Sequence, residues 1–262
     1  MKQRVITAVI ALILFIPIIV IGGVALQILA AVLGGIGVYE LFKMRGWDIK
    51  KIDGILAILG TVLLILPRST WYDYLPEPVN SMSLYYFVVM LLLILPVFLQ
   101  GKYSFEGVAF PVLVSLYVGM GFQNFVLARE VGLHVLMYAL LVVWSTDIGA
   151  YMIGRKIGKR KLAPHISPNK TMEGSLGGIL CALVVGFVYP IFWPLPYNMF
   201  AMLILTILFS IVGQLGDLVE SSYKRFYGVK DSGNILPGHG GILDRFDSLL
   251  FVFPFMHLMG LF

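Results

Sequence analysis

Apolar residues run through this chain in long unbroken stretches, and polar residues gather between them. A helix needs about 20 mostly apolar residues to cross roughly 30 Å of hydrocarbon. By that measure nine stretches predict spanning helices: Val5–Gly22, Val24–Phe42, Ile52–Leu66, Ser83–Leu99, Gly107–Ala128, Val131–Ile153, Ser175–Trp193, Met199–Leu218 and Ile242–Phe262. The third is short, and the ninth carries three charges near its start. Lys2 and Arg4 ahead of the first run resemble the opening of a signal peptide. The uncharged run from Val5 to Gly23 is longer than the usual h-region of about 7–15 residues, so the expectation is an uncleaved anchor. The fold class is therefore all-α, a polytopic integral membrane protein with residues 1–262 as a single transmembrane domain. Residues 1–130 supply N-terminal, lipid-facing scaffold helices, and residues 131–262 carry the chemistry. The hydrophilic mass sits in two segments, 154–174 and 219–241.

Composition supports this reading. The chain is 59% hydrophobic and 13% charged, against about 25% charged in soluble domains. That excludes an ordinary cytosolic enzyme, a disordered tail and a disulfide-stapled secreted domain. Cys181 is the only cysteine, so an internal disulfide is excluded too. The net charge of +5 is explained by topology. With the N-terminus in the cytoplasm, nine crossings and the C-terminus outside, all but Arg68 and Arg129 of the 19 basic residues fall on the inner side. This is the positive-inside pattern, and no nucleic-acid partner is implied. Tyr72, Tyr74, Trp193 and Tyr197 read as interfacial aromatics, and the stretches around Pro76 and Pro194 as loops. Neither an inverted repeat of the transporter kind nor a low-complexity tract is visible.

Half of the 14 acidic residues lie between positions 147 and 247: Asp147, Glu173, Asp217, Glu220, Asp231, Asp244 and Asp247. A carboxylate at mid-helix costs about 2.5–3.5 kcal/mol on insertion scales, so it needs a partner or a wet cavity. Asp147 lies roughly 9 Å from the inner end of its predicted helix at 1.5 Å per residue. Asp217 ends the eighth helix, while Asp244 and Asp247 open the ninth, so all four sit near one interface. Asp244 and Asp247 are i,i+3, as are Asp217 and Glu220, and each pair shares a helix face. Gly213 and Gly216 leave room for a close neighbour. Oxygen donors without a thiolate or histidine cluster suit a hard cation, Mg²⁺ above all, with Asp217, Asp244, Asp247 and Asp147 as its ligands. The bland alternative is that such acids pair with basic residues at the membrane boundary, but four at one depth beside glycines favour the metal.

The segment after Asp217 continues Lys224-Arg225, Lys230-Asp231-Ser232-Gly233 and Leu236-Pro237-Gly238-His239-Gly240-Gly241. Its glycines permit close backbone approach, and its cations suit phosphate. The upstream segment runs Gly154-Arg155-Lys156-Ile157-Gly158-Lys159-Arg160-Lys161 and then Ser167-Pro168-Asn169-Lys170-Thr171-Met172-Glu173-Gly174. Lys159, Arg160 and Lys161 read equally well as a contact for anionic headgroups. The Ser-Pro-Asn-Lys-Thr run suits a nucleotide but lacks P-loop context. His165 and His239 lie on the inner side and are candidate phosphate donors, whereas His134 and His257 read as structural.

Ser221, Lys224-Arg225, Lys230-Asp231, Gly233, Leu236-Pro237, His239-Gly240-Gly241 and Asp244-Arg245-Phe246-Asp247 together resemble the signature of the phosphatidate cytidylyltransferases. The one departure is Tyr223, where an aliphatic residue or Phe is usual. Asp147-Ile-Gly-Ala-Tyr through Ser167-Pro-Asn-Lys-Thr-Met-Glu-Gly resembles the same family's upstream block. The resemblance implies a membrane enzyme that joins CTP and phosphatidic acid to give CDP-diacylglycerol and pyrophosphate. It also implies a divalent metal with a monovalent cation such as K⁺ nearby, and a homodimer to which the N-terminal helices contribute contacts. The expected catalytic residues are Asp217, Asp244, Asp247, Lys224 and Arg225. Substrate binding is expected of Ser167, Asn169, Lys170, Thr171, Lys230, Asp231, His239, Gly240, Gly241 and Arg245. A bacterial inner membrane, with the site facing the cytoplasm, is the expected location. A CDP-alcohol phosphotransferase would need an Asp-x-x-Asp-Gly-x-x-Ala-Arg string, which is absent. A polyprenol or phytol kinase would not need the full signature. In an ion-coupled transporter the acids would lie near the midplane rather than at one face.

Overall fold

The computed structural model describes residues 13–66, 76, 79–238 and 240–262. Lys2, Arg4, the start of the first predicted span, Arg68, Tyr72, Tyr74 and His239 lie outside them. The described chain packs as two compact units. One contains the residues up to Val126 together with Asp231–Asp244, and the other contains Leu127–Lys230 and Arg245–Phe262.

The first unit opens with α1 (residues 13–21), which ends where Gly22 and Gly23 both take positive φ. It continues with α2 (Gly23–Met44), α3 (Ile52–Ile65), α4 (Ser81–Phe98) and the greater part of α5 (Phe105–Val131). Small residues let these helices approach. A Cβ on Gly119 would lie 2.7 Å from Leu64, and one on Gly60 would lie 3.2 Å from Tyr85. Without a strong hydrophobic drive between helices in lipid, such close packing and interhelical hydrogen bonds hold a bundle together. Here the Tyr85 hydroxyl donates to the Val112 carbonyl at 2.7 Å.

The second unit comprises α6 (Leu133–Ile157), a hairpin of β1 (Lys161–Ala163) and β2 (Ser167–Thr171), α7 (Met172–Phe192), α8 (Met199–Phe226) and α10 (Leu249–Leu258). The short α9 (Leu243–Phe246) precedes α10. Along α6 and α7 the seam is made by small residues. A Cβ on Gly178 would sit 2.7 Å from the Thr146 carbonyl oxygen, and one on Gly149 would sit 2.6 Å from Cys181 Sγ. Tyr138 and Thr206 share a hydrogen bond of 2.7 Å, and Thr146 donates to Ser210 at 2.9 Å, tying α6 to α8.

Six helices among the described residues are long and apolar enough to cross a membrane: α2, α4, α5, α6, α7 and α8. The helices of 14 and 10 residues, α3 and α10, fall short of that length. Three expectations change. The segment 154–174 is not all loop, because Lys161 pairs with Thr171 and Ala163 with Ser167 in an antiparallel hairpin. Glu173 clamps its start, accepting from the Lys159 N–H at 2.9 Å and the Arg160 N–H at 3.1 Å. The eighth helix does not stop at Leu218 but runs to Phe226, so Lys224 and Arg225 are helical. Hydropathy ends where apolar residues end, whereas the backbone ladder continues through polar residues that find partners. Finally, the ninth predicted helix is broken at Asp247-Ser248. The Asp247 carboxylate accepts the Ser248 N–H at 2.7 Å, a local bond that competes with helix continuation.

Candidate active site

Within the second unit, β2, α6 and α8 surround a cavity of ≈ 450 Å³. Asp147, Asn169, Lys170, Thr171, Gln214 and Asp217 line it. Five of these six are residues singled out from sequence. Lys170 and Asp217 form an ion pair across the cavity. The other Asp217 oxygen accepts from the Ser221 hydroxyl one turn along α8, at 3.2 Å. Asp147 feels the charges of Asp247, Asp217 and Lys170, and Asp247 feels those of Asp217 and Lys224. Gly216 is what permits this approach. A Cβ there would stand 2.7 Å from the Asp247 carbonyl oxygen, while one on Gly213 would stand 3.2 Å from Val252.

Lys224 turns toward Glu220, its neighbour at i−4, with nitrogen and oxygen 3.3 Å apart and both side chains almost wholly buried. Arg225 reaches the other way. Its Nε donates to the Ile166 carbonyl at 3.2 Å and its Nη1 to the Val229 carbonyl at 3.1 Å, so it ties the hairpin tip to the end of α8. Neither residue lines the cavity, and nor does Ser167, which pairs with Ala163. Thr171 caps α7, its Oγ1 accepting the Gly174 N–H at 3.1 Å. Lys230, at the edge of this unit, and Arg245 are both exposed.

These residues suit a hard cation by donor type. Four carboxylates (Asp147, Asp217, Glu220 and Asp247) and two ammonium groups (Lys170 and Lys224) interact here, with Asp247 and Glu220 hydrogen-bonded to each other. Oxygen donors of this kind are what Mg²⁺ takes. The set is not closed around a point: among the described residues no three His, Cys, Asp or Glu side chains are gathered as they would be to hold a metal ion.

In the first unit, Asp244 is held by its own loop. One carboxylate oxygen accepts from the Ser232 N–H at 2.9 Å, the Ser232 hydroxyl at 3.0 Å and the Gly241 N–H at 2.8 Å. Beneath this loop lies Glu40 of α2, fully buried. Its two oxygens accept from the Ile242 N–H at 2.9 Å and the Leu243 N–H at 3.0 Å, and one of them lies 3.0 Å from the Ser232 hydroxyl, whose single proton it shares with Asp244. The signature glycines make room for these acids. A Cβ on Gly233 or Gly241 would lie 2.6 or 2.4 Å from Glu40, and one on Gly240, whose φ is +84°, would lie 2.5 Å from Asp244. Asp231 is exposed at the edge of the loop. Glu40 was missed from sequence, although an ionisable residue inside an apolar run is itself a signal.

The model of the cytidylyltransferase family matches residues 2–262. The chain belongs to that family. A protein of Staphylococcus haemolyticus (strain JCSC1435) named phosphatidate cytidylyltransferase is 46% identical over 261 residues, which span 99% of this chain and 98% of the relative. A Bacillus subtilis (strain 168) protein of the same name is 44% identical over 262 residues, 99% of this chain and 97% of the relative. A third, from Staphylococcus saprophyticus, is 45% identical over 263 residues. In this family member the similarity therefore extends through the N-terminal helices, well beyond the two blocks that carry the signature.

Proposed function

We infer that this chain is a membrane enzyme transferring the cytidylyl group of CTP to phosphatidate, with CDP-diacylglycerol and pyrophosphate as products. The observation that carries the reading is the 46% identity over nearly the whole of both chains with a relative bearing that activity in its name. The chemistry fits the acids and cations on the page. A phosphate monoester has a second pKa near 6 and is largely dianionic at pH 7, so it attacks the α-phosphorus of CTP without a strong general base. The barrier is the meeting of two polyanions, and catalysis rests on positioning and neutralisation.

In this reading Asp217, Asp247 and Asp147 would hold Mg²⁺, which would supply charge neutralisation for the polyphosphate, and the sequence motif adds Asp244 to the proposed ligands. A monovalent cation such as K⁺ beside it belongs to the same proposal. Lys170 holds Asp217 in place while the cavity is empty of substrate and turns to the incoming phosphates. Asn169 and Thr171 orient the nucleotide from the hairpin. Arg225 fixes the hairpin tip, and Lys224 holds Glu220 in place. The sequence motifs add His239, Gly240, Gly241, Lys230, Asp231, Ser167 and Arg245 as proposed substrate contacts. A homodimer in a bacterial inner membrane, with about nine crossings, the N-terminus and site facing the cytoplasm and the C-terminus outside, is part of the proposal.

The test is purified protein with CTP, phosphatidate and Mg²⁺, reading both pyrophosphate and CDP-diacylglycerol. Asp217→Asn should lose at least about 10²-fold in kcat, as removal of a charge-stabilising group does elsewhere, while eluting as folded protein in detergent. Full activity of that variant would remove Asp217 from the site.

A further inference from the structure

The first unit holds a second cavity, of ≈ 630 Å³, which the reaction does not use. It opens where the turn between α2 and α3 meets the turn between α4 and α5, so it lies at one end of these helices. Trp47, Lys51, Asp53, Leu99, Lys102 and Tyr103 are among the residues that line it.

Charge in this cavity is unbalanced. Asp53 is buried and already engaged, since the Tyr103 hydroxyl donates to its Oδ1 at 3.1 Å. Partial burial and the charge of Asp53 both push the Tyr103 phenol up, so it keeps the proton it donates. Lys51 and Lys102 come from different turns and are exposed, and among the described residues their ammonium groups make no ion pair or hydrogen bond. Two cations thus line the cavity against a single carboxylate, which the Tyr103 hydroxyl already engages.

Its walls are aromatic and apolar. The Arg45 guanidinium lies 3.7 Å from the Trp47 ring centre and 4.4 Å from that of Phe110, which fixes the indole. Ile52 and Leu99 also line the cavity, Ile52 46% exposed and Leu99 half-buried, and the flanking α4 and α5 are long enough to sit in a bilayer. An occupant must therefore bring an anion to the two lysines and hydrocarbon to Ile52 and Leu99. The volume falls within the roughly 300–1,000 Å³ usual for small-molecule sites. A free anion would leave the apolar lining unused, and a zwitterionic lipid would bring its own cation against the lysines.

We propose that this cavity is a binding site for the phosphate-bearing headgroup of an anionic phospholipid, with Lys51 and Lys102 as its cations and Trp47 as its wall. The site is separate from the proposed reaction and does not depend on it. The test uses the full chain in phosphatidylcholine vesicles without CTP, with a small fraction of phosphatidylglycerol. Either lipid carries brominated acyl chains, which quench nearby tryptophan. The Trp47 contribution is obtained as wild type minus Trp47→Phe. At equal low mole fraction, brominated phosphatidylglycerol should quench that contribution several-fold more than brominated phosphatidylcholine. Lys51→Ala/Lys102→Ala should abolish the preference, whereas Lys156→Ala, in the other unit, should keep it. Equal quenching by the two lipids overturns the proposal. So does full relief of quenching by millimolar inorganic phosphate, which would make the cavity a free-phosphate site.

Discussion

Replacing Glu40 by alanine strips the acceptors from three donors at once: the N–H groups of Ile242 and Leu243 and the hydroxyl of Ser232. The side chain is fully buried, so water does not readily take its place. A hydrogen bond to a charged group is worth about 1.5–3 kcal/mol net, and a stranded buried donor costs about 1–3 kcal/mol. The three bonds share two oxygens and are not additive, so about 3–5 kcal/mol is expected rather than the sum. Much of that should appear locally, in the loop Asp231–Asp244, because α2 keeps its other packing. Amide hydrogen exchange reads this directly. At tenfold per 1.4 kcal/mol, Ile242 and Leu243 should exchange about 10²–10³ times faster in Glu40→Ala, with the amides of α3 and α4 little changed. Glu40→Gln separates charge from shape. It keeps one acceptor oxygen but turns an NH₂ group toward a backbone N–H, and should fall between wild type and alanine. Because Ser232 also donates to Asp244, both variants should lower kcat more than they raise KM for CTP. Unchanged exchange at Ile242 and Leu243 in Glu40→Ala would falsify the idea that this carboxylate holds the loop.

Gly241→Ala places a methyl group 2.4 Å from Glu40 and 2.2 Å from Ser232 Oγ; overpacking of this kind costs about 1–3 kcal/mol. Combined with Glu40→Ala the loss should be less than additive, and strict additivity in thermal melts would refute the shared cause. Glu173→Gln weakens the clamp on Lys159 and Arg160, so limited proteolysis should cut within 159–171 faster while the melting temperature stays near wild type. Tyr138→Phe removes the hydroxyl bonded to Thr206 inside the α6–α8 contact. A loss of about 0.5–1.5 kcal/mol is expected in unfolding from detergent, with activity retained once the protein is folded.

What sequence made legible, and what it did not, divides along physical lines. Burial in lipid demands apolar length, so α2, α4, α5, α6 and α7 could be read within a few residues, and α8 as far as Leu218. Charge in an apolar environment demands compensation, so Asp147 and Asp217 could be expected to lie together, and both line one cavity with Lys170. The hairpin escaped because its strands are short and polar. It is fixed by bonds from outside the strands, from Glu173 in the first turn of α7 and, far along the chain, from Arg225 on α8. Lys224 escaped for the opposite reason. Beside Arg225 in a presumed loop it read as a free phosphate ligand, whereas the helix continues and brings Glu220 within 3.3 Å.

The glycines of the signature carry the broader lesson. A Gly-rich stretch beside cations invites the reading of a phosphate cradle, and that reading needs nothing beyond local sequence. Yet Gly233 and Gly241 stand where any Cβ would strike Glu40, some 190 or more residues away in sequence, and Gly240 stands against Asp244. Their first requirement is therefore to let a buried carboxylate reach backbone N–H groups, a need that exists whether or not a nucleotide is bound. The two roles separate in experiment. If the glycines serve only the nucleotide, Gly241→Ala should raise KM for CTP and leave the exchange of Leu243 unchanged. If they serve Glu40, Leu243 must exchange faster in the protein without CTP, and the packing around Glu40 requires the second result.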